Sequence, residues 1–114
     1  MSLREQFDAK NAGLPPPCVE TDTQTQTIVV YPSADESWVF PWARFGCASL
    51  RSQELKMTFG DREIIVRGKN LERVFQHVRE FHVEILRTID EHFRPLLKES
   101  EPAVTSIEVR TVKV

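Results

Sequence analysis

The sequence predicts an α+β domain: an antiparallel β-meander of about four strands, one long amphipathic helix packed on one face, and a closing C-terminal strand. Three observations lead there. Apolar and β-branched residues alternate with period two from Thr25 to Arg67. Gly60-Asp61 separates two of these alternating runs as a two-residue hairpin loop. From Leu71 onward the apolar residues recur at steps of three and four instead.

At 114 residues and 40% apolar composition, the chain suits one domain with an ordinary core. Residues 1–22 read as a flexible tail: Leu3 to Lys10 could form two helical turns, but Asn11-Ala12-Gly13 and Pro15-Pro16-Pro17 end them, and a polar Thr/Gln tract follows. The domain is expected to occupy residues 23–114.

Thr25–Tyr31 forms the first strand, and Pro32 to Ser37 has loop composition. Trp38–Arg51 reads as one long, bent strand, with Pro41 marking an edge or a bulge because it cannot donate to a ladder. Ser52-Gln53 turns the chain back. Leu55–Phe59 and Arg62–Arg67 then form the hairpin, whose loop fixes Phe59 opposite Arg62, Met57 opposite Ile64, Leu55 opposite Val66 and Glu54 opposite Arg67. Asn70 is a suitable N-cap for a helix of about 24 residues carrying Leu71, Val74, Phe75, Val78, Phe81, Ile85, Ile89 and Phe93 on its apolar face, ended or kinked at Pro95. Thr105–Thr111 alternates again and closes the sheet.

The run "WVFPWARF" holds four of the ten aromatic residues between Trp38 and Phe45. Continuing the hairpin register backward places Gly46 opposite Phe59, with Leu50, Ala48, Trp42, Phe40 and Trp38 toward the helix. One bulge at Pro41 reverses that parity and puts Trp38 and Phe40 on the outer face. Both arrangements remain open. The outer face carries Phe45, Cys47 and Ile65 among polar residues, a composition suited to another subunit. The candidate interface is therefore Trp38, Phe40, Phe45 and Ile65.

Net charge is −2, but it is unevenly distributed: residues 1–42 carry two basic and six acidic groups, residues 43–80 eight and five, and residues 81–114 five and six. The middle segment supplies a candidate basic surface of Arg44, Arg51, Lys56, Arg67, Lys69 and Arg73. A +3 segment falls short of the clustered stripe that phosphate backbones require, so nucleic acid is not the expected partner.

No catalytic constellation is present. The glycines around Lys69 lack P-loop spacing, no G-x-S-x-G occurs, and Cys47 sits within a strand rather than at a helix N-terminus. His77, Glu80 and Glu84 share one face of the expected helix, where a solvated charge stripe explains them without a metal, while His82 and His92 flank the apolar stripe. No cofactor and no metal are expected. Cys18 and Cys47 lie 29 positions apart, outside redox or zinc spacing, with Cys18 an exposed tail thiol. No apolar run approaches the roughly 20 residues of a membrane span, and a reduced cytoplasmic setting is the expectation.

Residues 54–83, which include "FGDREIIVRGKNLERVFQHVREFHV" from Phe59 to Val83, resemble small bacterial proteins in which a β-hairpin ending in an R-G-x-N-L step feeds an amphipathic helix. The resemblance covers residues 38–110; it implies the architecture and contributes no activity. The functional expectation is a non-enzymatic interaction module, a homodimer or a partner of another protein, docking through a sheet face or edge. The alternatives are weak nucleic-acid binding through residues 44–79 and a small-ligand pocket between helix and sheet.

Overall fold

The computed structural model describes residues 18–23, 25–89 and 102–112. The expected N-terminal helical turns, the proline run, His92, Phe93 and Pro95 lie outside them. Among the described residues the chain forms β1 (Val19–Thr21), β2 (Thr27–Ser33), β3 (Glu36–Pro41), a 3-10 turn (Trp42–Arg44), β4 (Phe45–Arg51), β5 (Glu54–Phe59), β6 (Arg62–Lys69), helix α1 (Glu72–Arg79), β7 (Val83–Arg87) and β8 (Ala103–Thr111).

These strands make two four-stranded sheets, ordered β1-β7-β2-β3 and β4-β5-β6-β8. The expected single meander under a long helix is therefore overturned: the protein is mostly β, with one short helix among its described residues. The second sheet is antiparallel throughout and keeps the register that Gly60-Asp61 dictates, from Glu54 opposite Arg67 to Phe59 opposite Arg62. In the first sheet β2 pairs parallel with β7 and antiparallel with β3.

The expected long strand breaks at Trp42–Arg44. Pro41 stays extended (φ −74°, ψ 134°) and the following three residues turn, so β3 belongs to one sheet and β4 to the other. Backbone hydrogen bonds hold this corner on both sides, from Trp42 N–H to the Gln26 carbonyl (2.9 Å) and from Gly60 N–H to the Arg44 carbonyl (3.0 Å). Beyond it, Gly46-Cys47 bulges opposite Thr58, and Phe59 pairs with Phe45 rather than with Gly46. A Cβ at position 46 would lie 2.6 Å from the side-chain Oγ1 of Thr58, so any larger residue there would displace that hydroxyl.

Between the sheets lies the core. Ile28, Val30 and Phe40 from the first sheet meet Leu55, Met57, Phe59, Ile64, Val66, Val104 and Ile107 from the second, together with Leu71 and with Val74 and Val78 of α1. Cys18, expected as an exposed tail thiol, is 6% exposed within this core, and β1 pairs with β7, so the folded body reaches back to residue 18.

The long helix fails at Phe81. Asn70 adopts φ +58° and turns the chain out of β6 instead of capping, leaving Leu71 as the N-terminal cap. At the other end Phe81 also takes a left-handed conformation (φ +58°), with His82 N–H donating to the His77 carbonyl (2.9 Å) and Phe81 N–H to the Val78 carbonyl (3.1 Å). This is a Schellman closure with phenylalanine where glycine usually stands. The apolar residues that follow build β7 rather than further helical turns.

Candidate functional site

The aromatic run closes one end of the gap between the sheets. Trp38 and Phe40 stack almost parallel (5.8 Å, 3°), Phe40 stacks on Phe59 (5.2 Å), and Trp42 contacts Phe45, Phe59 and Phe81 with centroids 5.0 to 5.6 Å apart. Phe40 and Trp42 are buried, whereas Trp38 and Phe45 are half-buried. The Arg62 guanidinium lies over the Trp38 ring at 5.2 Å. The Trp42 indole N–H points inward to Thr25 Oγ1 (2.8 Å) and the Val83 carbonyl (3.2 Å).

Of the four candidate interface residues, Phe40 at 6% and Ile65 at 1% exposure have almost no surface to present. Ile65 sits on the outer face of its sheet between Lys56 and Glu108 in register. Around it charged side chains pair across the strands: Arg67 with Glu54 (3.2 Å) and Glu108 (3.7 Å), Lys56 with Glu54 (3.5 Å), and Arg110 with Glu63 (2.6 Å). A polar surface therefore stands where a half-apolar one was expected.

The exposed apolar residues lie elsewhere. Val39 is 60% exposed on β3, an edge strand, and Tyr31 37% exposed on neighbouring β2. Val39 pairs with Val29, which pairs in turn with Ile85, so one apolar row crosses three strands on the outer face of the first sheet. Tyr31 lies beside Arg87, whose guanidinium sits 5.8 Å from its ring and which also bonds the Glu20 carboxylate.

The six candidate basic residues do not converge. Lys56 and Arg67 are committed to carboxylates, and Arg44 and Arg51 flank opposite ends of β4, about 20 Å apart at strand rise. Lys69 and Arg73 are exposed at the end of β6 and in the first turn of α1.

The turn after α1 brings together side chains that the expected helix would have separated. His82 Nδ1 lies 3.1 Å from Glu80 Oε2, and the rings of His77 and His82 are 6.5 Å apart. The Nδ1 of half-buried His77 is buried without a hydrogen-bond partner among the described residues. Thr21, Asp22 and Thr23 line the same shallow concavity as the two histidines. Glu84, which a continuous helix would have stacked above Glu80, lies on β7 instead.

Comparison of the chain with protein-family models, with curated proteins and with solved structures finds no match. The functional reading therefore rests on geometry alone. Sequence periodicity does not single out Val39, the second residue of the expected long strand Trp38–Arg51, and it misses the His77–His82 pair because a left-handed phenylalanine has no signature of its own. One signal was available: His82 to Arg87 carries Val83, Ile85 and Leu86, a composition that suits a strand as well as a helix.

Proposed function

We propose that this chain is a non-enzymatic interaction module that self-associates through the edge of β3. The observation that carries this reading is the contrast among the four sheet edges of the described residues. β1 has three residues, β4 is bulged between Phe45 and Ala48, and β8 carries exposed Glu108 and Arg110; each is a recognised way of discouraging edge pairing. β3 has six residues and confines such devices to its ends, Glu36 at one and Pro41 at the other, with Trp38, Phe40 and a 60% exposed Val39 between them.

A two-fold axis normal to the sheet makes such an edge self-complementary. Centred on Val39, antiparallel pairing sets Val39 against its own copy and Trp38 across from the partner's Phe40. The Val39–Val29–Ile85 row then continues into the second copy. Glu36 falls at opposite ends of the pairing, so no like charges oppose each other.

Light scattering behind size exclusion, run over a concentration series on the full chain, tests this reading. The wild type is expected to dimerise and Val39→Lys to remain monomeric with an unchanged circular dichroism spectrum. A wild type that stays monomeric at every concentration, or a dimer that Val39→Lys leaves intact, overturns it.

A further inference from the structure

We propose that His77, Glu80 and His82 form a binding site for a borderline divalent transition metal ion such as Zn2+. Three facts converge on it. One potential ligand atom from each residue lies within 4.8 Å of the other two. His77 Nδ1 is buried and has no hydrogen-bond partner among the described residues, an uncommon state for an imidazole nitrogen unless an ion or a water completes it. The cluster also sits at the C-terminus of α1, the negative end of the helix dipole, where a cation is favoured.

The site is held in place by more than its own side chains. Phe81, between Glu80 and His82, keeps its left-handed conformation because its neighbours fix it: its carbonyl accepts from Thr25 N–H (3.5 Å) and Thr25 Oγ1 (3.4 Å) while its ring packs on Trp42 and Phe45. The His82 carbonyl accepts from Asp22 N–H at 2.9 Å. Backbone strain maintained by surrounding contacts is characteristic of functional turns. Its consequence here is to fold His82 back toward His77, so that one ligand from the helix meets two, Glu80 and His82, from the turn that follows it.

Ligand chemistry selects the ion. Two imidazoles and one carboxylate suit Zn2+, Co2+ or Ni2+, whereas Mg2+ and Ca2+ require oxygen-rich shells. Around a tetrahedral Zn2+ with bonds near 2.0–2.1 Å, ligand atoms stand about 3.3 Å apart, so the widest separation in the cluster must contract by at most about 1.5 Å. Rotation of exposed Glu80 and half-buried His82 can supply that movement without shifting the core. Three protein ligands leave one tetrahedral position for water, and the acidic Asp22 on the rim adds to the attraction for a cation.

Isothermal titration of the metal-free full chain with Zn2+ provides the test, with Mg2+ as the control ion. One Zn2+ per chain is expected, with no Mg2+ response. His82→Gln and Glu80→Gln, both at the surface side of the site, are expected to weaken Zn2+ at least about tenfold, the scale seen when metal shells lose a member. His92→Gln, which removes the remaining histidine, is expected to leave binding unchanged. Cobalt absorption in the visible range, present in the wild type and lost in His82→Gln, reports the coordination directly. No saturable Zn2+ binding, equal binding of Mg2+, loss in His92→Gln, or wild-type affinity in either His82→Gln or Glu80→Gln overturns the proposal.

Discussion

The ring of Phe81 stacks on the indole of Trp42, centroids 5.0 Å and planes 28° apart, while the Phe81 backbone holds φ +58°. Backbone and side chain thus act in opposite directions at one residue. A non-glycine residue in this conformation costs about 1–2 kcal/mol, and the ring recovers stability by covering Trp42 and Phe45. Replacing Phe81 with Ala removes the ring and keeps the backbone cost; replacing it with Gly removes both. Urea denaturation should therefore rank the wild type above Phe81→Gly, and Phe81→Gly above Phe81→Ala by about 1 kcal/mol. The reverse order of the two variants would mean that the left-handed turn is not retained in solution.

Gly68 lies buried where β6 shifts register against β8, and a Cβ there would stand 1.9 Å from the Ala103 carbonyl oxygen. The obstacle is backbone, which cannot rotate aside. Gly68→Ala should push β8 away from β6 and cost about 2–3 kcal/mol or more, the upper range for overpacking a closely fitted site. Gly60→Ala is the comparison: nothing among the described residues lies within 4 Å of its Cβ position, and its φ of +60° alone sets a cost of about 1–2 kcal/mol. Chemical denaturation of the pair separates a steric penalty from a conformational one.

Local rules were legible in the sequence and long-range ones were not. Gly60-Asp61 determined the β5–β6 register because a two-residue loop leaves no freedom in which residues face each other. The alternation of Ile107 and Val109 similarly announced β8. By contrast, Val78, Phe81, Ile85 and Ile89 are spaced at three and four residues and satisfy a helical stripe, although Ile85 lies in a strand paired with β1 and β2. Nothing local distinguishes these outcomes, since the parallel partner Val29 is 56 residues earlier in the chain. The His77–His82 cluster was lost with the helix end that creates it. At Pro41 the sequence indicated a break in the strand but not that the chain changes sheets there.

Ile65 and Val39 make a controlled pair for the surface. Ile65 is 1% exposed beneath the cross-strand ion pairs, so Ile65→Glu must bury a carboxylate that is not paired in register with a basic residue on both sides. A loss of several kcal/mol, seen as a large fall in Tm, is expected from an incompletely paired buried charge. Val39→Glu, at 60% exposure, should change Tm little in the monomer. Similar stability for both variants would show that the outer face around Ile65 is open.

The Trp42 indole N–H joins three segments by donating to Thr25 Oγ1 and the Val83 carbonyl, while the Thr25 hydroxyl itself lies 3.3 Å from that carbonyl. Trp42→Phe retains an aromatic ring in a site 5% exposed and removes the donor. The expected loss is about 1–3 kcal/mol, because polar partners stay buried after the N–H is gone. Thr25→Val removes that acceptor together with the hydroxyl's own contacts to the Phe81 and Val83 carbonyls. In a double-mutant cycle the two changes should be less costly together than their sum by about 0.5–1 kcal/mol, as groups sharing a hydrogen bond are not independent. Strict additivity would place the stabilisation by Trp42 in its ring contacts with Phe45, Phe59 and Phe81, and would remove the indole N–H as the link between β7 and the corner preceding β4.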